Sequence, residues 1–223
     1  MLDMKTQEFL WGIRLNNEKS WFAANKPTYL EKVYNPMKEL GRELWRLMEA
    51  EHGLGTELHV SRIYRDARRL HGKGPYKDHL WLSLRLGAKD WTGTPTFYFE
   101  ISPECWGYGL VCSFGRADFM RAFRAAVLAN PAGFDAMAQG LIDHGNFVLA
   151  GDEYKKPPME APTELSAPWF KKKFIWFVHE EMWNDRVSAP DLAEQVFREM
   201  SREVELYKFF AQIAAQVNSQ DEK

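Results

Sequence analysis

The sequence predicts an α+β fold with one mainly antiparallel sheet of about five strands, packed by N-terminal, central and C-terminal helices. Before residue 53, apolar residues recur at steps of three and four, which is typical of buried helix faces. The middle of the chain changes to a period of two and concentrates β-branched and aromatic residues, as strands do. Helical spacing then returns from Phe119 onward.

The N-terminal part is predicted to be helical. Apolar residues 9–13 follow Asp3 or Thr6, either of which can accept the first free helix N–H groups. A short helical turn is expected at 21–22, and apolar spacing then continues over 26–50. Pro36 interrupts that last stretch, so we expect it to kink one long helix or to begin the second of two.

Five strands are predicted, at 59–65, 80–86, 96–101, 106–114 and 174–179. The first four follow one another closely. Because a parallel return needs a crossover of a dozen or more residues, these four are expected to be antiparallel neighbours.

The remaining segments complete one predicted domain over 1–217. Two helices are expected after Phe119 and Phe134, and a long one from about Pro190 to Val217. The proline-rich segment 151–168 is interpreted as an ordered loop, with a domain linker as the alternative. The last residues, 218–223, are predicted to be a polar tail.

The charge of the chain is concentrated in one region. The net charge of −2 argues against a general nucleic-acid or membrane binder. Eight Lys or Arg and two Asp lie between His59 and Lys89, a net +6, whereas the other 21 basic and 29 acidic residues carry −8. A partner of this region is therefore expected to be acidic.

Localisation and cysteine use are predicted from absent patterns. Cys105 and Cys112 are too few for a disulfide scaffold and match no zinc or redox spacing. The N-terminus lacks the pattern of a signal peptide, and no apolar run approaches the roughly 20 residues of a membrane span. We therefore expect a cytoplasmic protein without a membrane partner.

The candidate site is a basic segment between residues 61 and 77. Arginine forks with lysine point charges typically capture carboxylate or phosphate. Gly72 and Gly74 could bring backbone N–H groups close to the anion, although the spacing is not that of a nucleotide-binding loop. The predicted ligand-binding residues are Arg62, Arg65, Asp66, Arg68, Lys73, Tyr76 and Lys77.

Other chemistry has weaker support in the sequence. His71 and His79 lack metal-site spacing, so no metal ligands are predicted. The triplet 179–181 offers a base and carboxylates, but no catalytic pattern emerges, and any cofactor stays open. Asn16, Asn17, Lys19 and Asn25 form a polar run that either caps helices or contributes to the same pocket as Arg62.

Several of these segments together resemble a widespread, mostly bacterial family of conserved hypothetical proteins, a domain of unknown function. The resemblance spans nearly the whole chain and implies one domain, with 151–168 as part of the fold. It implies no activity, cofactor or catalytic residue. The resemblance is carried by 16–22, Asn25-Lys26, Tyr29, Pro36, Arg62-Ile63-Tyr64-Arg65-Asp66, Arg68, Lys73, Pro75-Tyr76-Lys77, Ile101-Ser102-Pro103 and Lys155-Lys156-Pro157-Pro158.

The chain also departs from the family pattern. Ala67 and Gly74 stand where the family usually has threonine, and 69–72 replaces a more typical Phe-Ser-Lys-Asp. Two hydroxyls are therefore missing. Any contact that depends on them would be lost here, or would be made by Ser61 or Tyr76.

Three functional hypotheses remain open. The leading one is a pocket that binds a small phosphate- or carboxylate-bearing ligand, oriented by Tyr76. If the protein is an enzyme, Asp66 is the nearest candidate acid or base, although its arginine neighbours would lower its pKa. The alternative is an interaction module that docks an acidic partner or nucleic acid through 59–89, with aromatic side chains stacking on bases. The third hypothesis is a purely structural charge network, and the oligomeric state is open in all three.

Overall fold

The computed structural model describes residues 1–66, 68, 74–87, 93–112, 116–143 and 147–221. In chain order the helices are α1 (Met4–Leu15), α2 (Lys19–Tyr29), α3 (Asn35–His52), α4 (Ala117–Ala129), α5 (Pro131–Asp143), α6 (Ala167–Lys171), α7 (Leu192–Ser201) and α8 (Val204–Asp221). The strands are β1 (Glu57–Val60), β2 (Leu80–Arg85), β3 (Thr96–Ile101), β4 (Cys105–Cys112), β5 (Val148–Ala150) and β6 (Ile175–Met182). The α+β prediction is confirmed.

The strands form one open antiparallel sheet in the order β1-β2-β3-β4-β6-β5. The first four strands are sequential neighbours, as their short connections predict. Strand β5 is the one that the sequence did not predict, because three residues are too few to establish a period of two. It pairs with β6, where Val148 lies opposite Val178.

Strand β1 ends earlier than predicted. Ser61 follows its last residue, and the Ser61 hydroxyl accepts a hydrogen bond of 3.1 Å from the backbone N–H of Trp81. A side-chain oxygen thus takes an N–H group that would otherwise extend the ladder. Beyond it only an isolated bridge joins Tyr64 to Tyr76, so the prediction of a strand to Arg65 was wrong.

The N-terminal helices show how Pro36 is accommodated. Asp3 caps α1 by accepting hydrogen bonds from the N–H groups of Lys5 and Thr6. Helices α2 and α3 are joined by a π-helical turn, Leu30–Tyr34, and Pro36 lies in the first turn of α3. Because proline has no N–H to donate, it fits in the first turn of α3, and the wider turn before it keeps the backbone helical. Helix α2 is also longer than the short turn predicted there.

The chain divides into two compact units, and the first comprises Met1–Leu84, Tyr98–Tyr108 and Glu180–Arg198. Helix α3 buries one apolar face in this unit. A side chain at Gly41 would come within 2.9 Å of Leu58 and 3.1 Å of Leu82. Glycine therefore allows α3 to lie close against β1 and β2, the two strands that lead into the candidate site.

The second unit comprises Arg85–Phe97, Gly109–His179 and Glu199–Lys223. An aromatic cluster forms its core, in which Phe123 contacts Phe134 and Phe210 edge-to-face at centroid distances of 5.6 and 5.8 Å. The segment 151–168 has little regular structure but ends in α6, whose Trp169 and Phe170 are buried in the same core. Whether the two units act as one domain stays a prediction.

The C-terminal helix differs from its prediction. Two helices, α7 and α8, replace the single one expected over 190–217. Arg202 and Glu203 interrupt the helical ladder, because their N–H groups bond carbonyls only three residues back. Helix α8 continues to Asp221 and so includes most of the predicted polar tail. Among the helices that the structure describes, none combines the length and apolar character needed to cross a membrane.

Candidate functional site

Two backbone segments frame the candidate site. Residues 61–66 run away from β1, and residues 74–79 lead back into β2. The Arg65 N–H donates to the carbonyl of Pro75 at 2.9 Å, and the Lys77 N–H donates to the carbonyl of Ile63 at 2.7 Å. These two hydrogen bonds form a short antiparallel ribbon that fixes Arg65 and Lys77 relative to each other.

Asn17 ties this ribbon to the segment between α1 and α2. Its side-chain amide donates to the carbonyl of Tyr76 at 2.9 Å, while its Oδ1 accepts from the Tyr76 N–H at 3.0 Å. The other asparagines of the polar run serve the helices instead, because Asn16 and Asn25 each bond a carbonyl four residues back. Capping therefore explains Asn16, Asn25 bonds the backbone within α2, and Asn17 braces the site.

Beside this ribbon lies a cleft of about 410 Å³. Three of the predicted cations line it, namely Arg62, Arg65 and Lys77. They reach one cleft because the chain is no longer a regular strand after Val60, so strict alternation of faces does not apply. The other lining residues are His59, Ser61, Tyr64, Asp66, His79 and Trp81.

Lys77 is the half-buried cation of the cleft. Its Nζ lies 5.7 Å from the centroid of the Trp81 ring, a cation–π distance. The pKa of Lys77 is lowered to about 8, mainly by burial and to a smaller extent by the nearby Arg65 and Arg62, whereas Glu100 acts in the opposite direction. A substantial fraction of this side chain is therefore neutral at physiological pH.

Arg65 is held by protein groups. Its Nε donates to the carbonyl of Tyr76 at 2.7 Å, and its Nη2 lies 3.7 Å from Asp78 Oδ1. Asp78 also pairs with Arg14 at 2.6 Å and contacts His79 at 3.1 Å. Burial alone would raise the pKa of Asp78, but its hydrogen bonds with Arg14 and His79 hold the pKa below its ordinary value. Asp78 is thus ionised and fixes the position of Arg65.

Arg62 differs from Arg65. It is exposed at the cleft and forms no ion pair with any residue that the structure describes. Its guanidinium is also close enough to Lys77 to lower the pKa of that amine. Arg62 and Lys77 thus line the same cleft, and neither forms an ion pair with a residue in the described ranges.

Glu100 on β3 supplies a carboxyl group near these cations. Burial raises its pKa, as do Glu180 and Asp78, while His79 and Lys77 counteract the rise. A raised pKa favours the protonated carboxylic acid. Glu100 is thus a candidate proton donor beside the cleft, a role that the sequence had suggested for Asp66.

The other predicted ligand-binding residues are placed differently. Asp66 lines the cleft but accepts a two-pronged interaction from Arg68, at 3.1 and 2.8 Å. Arg68 is 87% exposed and is not among the residues that line the cleft. The ring of Tyr76 is buried against Phe22 with a centroid distance of 4.3 Å, so it contributes to the scaffold and does not line the cleft. Lys73 lies outside the described residues.

The predicted ligand-binding set left out four residues around the cleft: His59, His79, Trp81 and Glu100. A signal for two of them was available, because Lys77, His79 and Trp81 alternate along the chain and so share one face. His59 was recognisable only from pairing, since its ring lies 5.4 Å from that of Trp81 on the neighbouring strand. Glu100 comes from a third strand, and its proximity depends on the tertiary fold.

Metal and thiol chemistry find little support in the geometry. In the described ranges no group of three or more His, Cys, Asp or Glu residues is arranged to hold a metal ion. Cys105 and Cys112 are free thiols. Burial raises the pKa of the Cys105 thiol, which disfavours the reactive thiolate.

Comparison with known proteins gives a family without a named activity. No curated protein matches the chain. A family model described as conserved hypothetical protein (DUF2461) matches residues 5–209, which includes the whole candidate cleft. The chain therefore belongs to the DUF2461 family of conserved hypothetical proteins.

Proposed function

We propose that the protein binds a small ligand bearing a phosphate or carboxylate group in the cleft lined by Arg62, Arg65 and Lys77. One observation supports this proposal above all: Arg62 and Lys77 line one cleft, and neither forms an ion pair with a described residue. Close cations repel one another, and the low pKa of Lys77 reflects part of that cost. A bound anion would offset the repulsion.

The residues differ in what they can offer such an anion. Arg62 is exposed and can turn its planar fork toward two oxygens of a phosphate or carboxylate. Lys77 can add a point charge from the half-buried side. Arg65 already donates a hydrogen bond to the Tyr76 carbonyl, so it contributes mainly through the electrostatic attraction of its positive charge.

The rest of the cleft suits a small molecule. Its volume lies within the roughly 300 to 1,000 Å³ typical of ligand sites. His59 and Trp81 form an aromatic wall, and Tyr64, whose side chain is half exposed, lies on another side. These rings can pack against an apolar or flat part of the ligand.

Isothermal titration calorimetry with orthophosphate, sugar phosphates, nucleotides and small carboxylic acids tests this proposal. For the tightest of these, Arg62→Ala should raise Kd roughly ten- to hundredfold, the loss expected for a charge-assisted hydrogen-bond pair. Arg62 is a better test than Arg65, because replacing Arg65 would also disturb the ribbon.

The matched control is Arg121→Ala, which removes the same charge from an exposed position on α4. It should bind like the wild type. Binding that is lost equally in both variants would mean that net charge matters and the cleft does not. No heat with any compound, at concentrations up to several millimolar, would contradict the proposal.

A docking surface for an acidic partner is the competing function. It is favoured by the half-exposed Tyr64 beside Arg62, an arrangement that can stack on an unpaired base. An oligonucleotide that binds far more tightly than its mononucleotide, with affinity that falls steeply as salt rises, would support docking over a small-ligand pocket.

A further inference from the structure

We propose that Lys77 forms an imine with the carbonyl group of an aldehyde or ketone whose carboxylate or phosphate is held by Arg62. The ligand class would then be an oxo acid or a phosphorylated carbonyl compound. This inference rests on the proposed function, because the anion-binding residues would deliver the carbonyl carbon to the amine.

The position of Lys77 carries the proposal. Its side chain lines the cleft and is half buried against the ring of Trp81. The backbone bond from its N–H to the Ile63 carbonyl fixes where that side chain begins. A ligand whose anionic end contacts Arg62 therefore presents its neighbouring atoms to a positioned amine, as intramolecular reactions require.

Burial of Lys77, together with the nearby Arg65 and Arg62, favours its nucleophilic form, although Glu100 acts in the opposite direction. An imine forms only from a neutral amine, and a lysine beside other cations in a desolvated site is activated in that way. With a pKa of about 8, the neutral fraction of Lys77 at pH 7 exceeds that of an ordinary lysine by about two orders of magnitude. Other lysines instead form ion pairs with carboxylates, such as Lys32 with Glu31, Lys172 with Glu153 and Lys208 with Glu205.

The reaction needs a proton donor, and Glu100 can supply one. The Nζ lone pair attacks the carbonyl carbon, the oxygen takes up a proton, and the nitrogen loses one, which gives a carbinolamine. That hydroxyl then leaves as water after accepting a proton from Glu100, while the nitrogen lone pair forms the C=N bond. The protonated imine then returns its N–H proton to the Glu100 carboxylate. Amine and carbonyl thus give imine and water without any redox step. Glu100 and Lys77 are close enough to affect each other's pKa.

Reductive trapping tests the inference. The protein is incubated with glyoxylate or pyruvate and sodium cyanoborohydride, which adds hydride to an imine carbon and leaves a stable secondary amine. Mass spectrometry of the whole protein and of its peptides then locates the adduct. We expect one dominant adduct at Lys77. Its rate of formation should rise with pH toward about 8, where the amine flanked by Arg62, Arg65 and Glu100 is half neutral.

Variants separate this site from general lysine chemistry. Lys77→Arg keeps the positive charge but cannot form the imine, so the dominant adduct should disappear, whereas Lys208→Arg should leave it unchanged. Arg62→Ala should slow trapping of glyoxylate about tenfold or more and leave trapping of the neutral acetaldehyde within about twofold. The melting temperature of each variant is measured to confirm that the trapping rates compare folded proteins.

The outcomes distinguish the two proposals. Adducts spread evenly over many lysines, or unchanged in Lys77→Arg, would overturn the inference. If calorimetry shows Arg62-dependent binding of glyoxylate or phosphate but no adduct forms at Lys77, the inference fails and the proposed function stands. If Lys77 is trapped equally fast in the wild type and in Arg62→Ala, the amine is reactive but anion recognition by Arg62 is refuted, and with it the inference as stated.

Discussion

Glu203, in the short connection from α7 to α8, has a buried carboxyl group. The residue has no exposed surface, and in the described part of the chain neither of its carboxyl oxygens has a hydrogen-bond partner. Burial raises its pKa well above the ordinary 4.5, and Glu199 adds to the rise. The folded protein therefore binds a proton that the unfolded chain releases at lower pH.

Glu203→Gln should stabilise the protein increasingly as pH rises. Below about pH 4.5 both folded and unfolded wild type are protonated, so the variant should have nearly the same free energy of unfolding. Above that pH the unfolded wild type gains stability by ionising, which costs the fold up to about 1.4 kcal/mol per pH unit until the folded pKa is reached. Urea unfolding from pH 4 to 8 measures the difference. The exposed Glu205→Gln should show no such trend, and a flat profile for Glu203→Gln would contradict the assignment.

Gly74→Ala tests the brace at Asn17. A Cβ at position 74 would lie 2.7 Å from the Asn17 Cβ and would overlap its amide, so Asn17 would have to leave both backbone groups of Tyr76. Losing these two hydrogen bonds should cost about 1 to 3 kcal/mol of unfolding free energy. Gly140→Ala on α5 is the control. Nothing lies within 4 Å of the Cβ added there, so it should stabilise its helix by up to about 1 kcal/mol. Equal effects of the two substitutions would show that Asn17 is not a brace.

At the scale of elements, Arg124 on α4 holds the end of the proline-rich segment. Its guanidinium is 2% exposed and donates to the carbonyls of Met120, Phe170 and Lys172. These bonds fix α6 and the residue after it. This role could not be predicted from the sequence pattern, because an arginine in an amphipathic helix usually faces solvent.

Arg124→Lys should loosen this segment. Lysine keeps the charge but lacks the planar fork, so several buried carbonyls lose their donor, at about 1 to 3 kcal/mol each in the worst case. Trypsin should then cleave after Lys155 faster than in the wild type, which peptide mass spectrometry detects. The exposed Arg121→Lys on the same helix should be cleaved at the wild-type rate. Unchanged cleavage of Arg124→Lys would mean that α6 is held by its apolar contacts alone.

At the scale of the whole molecule, periodicity predicted the elements better than their ends. The sheet and most helices follow from apolar spacing of two or of three and four, because that spacing records which face is buried. The end of β1 and the break at Glu203 did not follow, since each depends on one backbone N–H changing its partner. Local hydrogen bonds of this kind leave no periodic trace in the sequence.

Only part of the candidate cleft could be predicted from the sequence. Arg62, Arg65 and Lys77 stood out as clustered charge, and three-dimensional placement then separated them from Arg68 and Tyr76. Glu100 could not be anticipated. It lies on another strand, and its altered pKa arises from burial and from groups distant in sequence.

The ribbon beneath the cleft has a consequence for how relatives can diverge. Its two hydrogen bonds join main-chain atoms of Ile63, Arg65, Pro75 and Lys77, and Asn17 donates to and accepts from main-chain atoms of Tyr76. Apart from Gly74, where a Cβ would overlap Asn17, the frame therefore places few demands on the side chains that project from it. The side chains that determine ligand specificity can therefore be substituted during evolution while the main-chain hydrogen bonds that position them are kept.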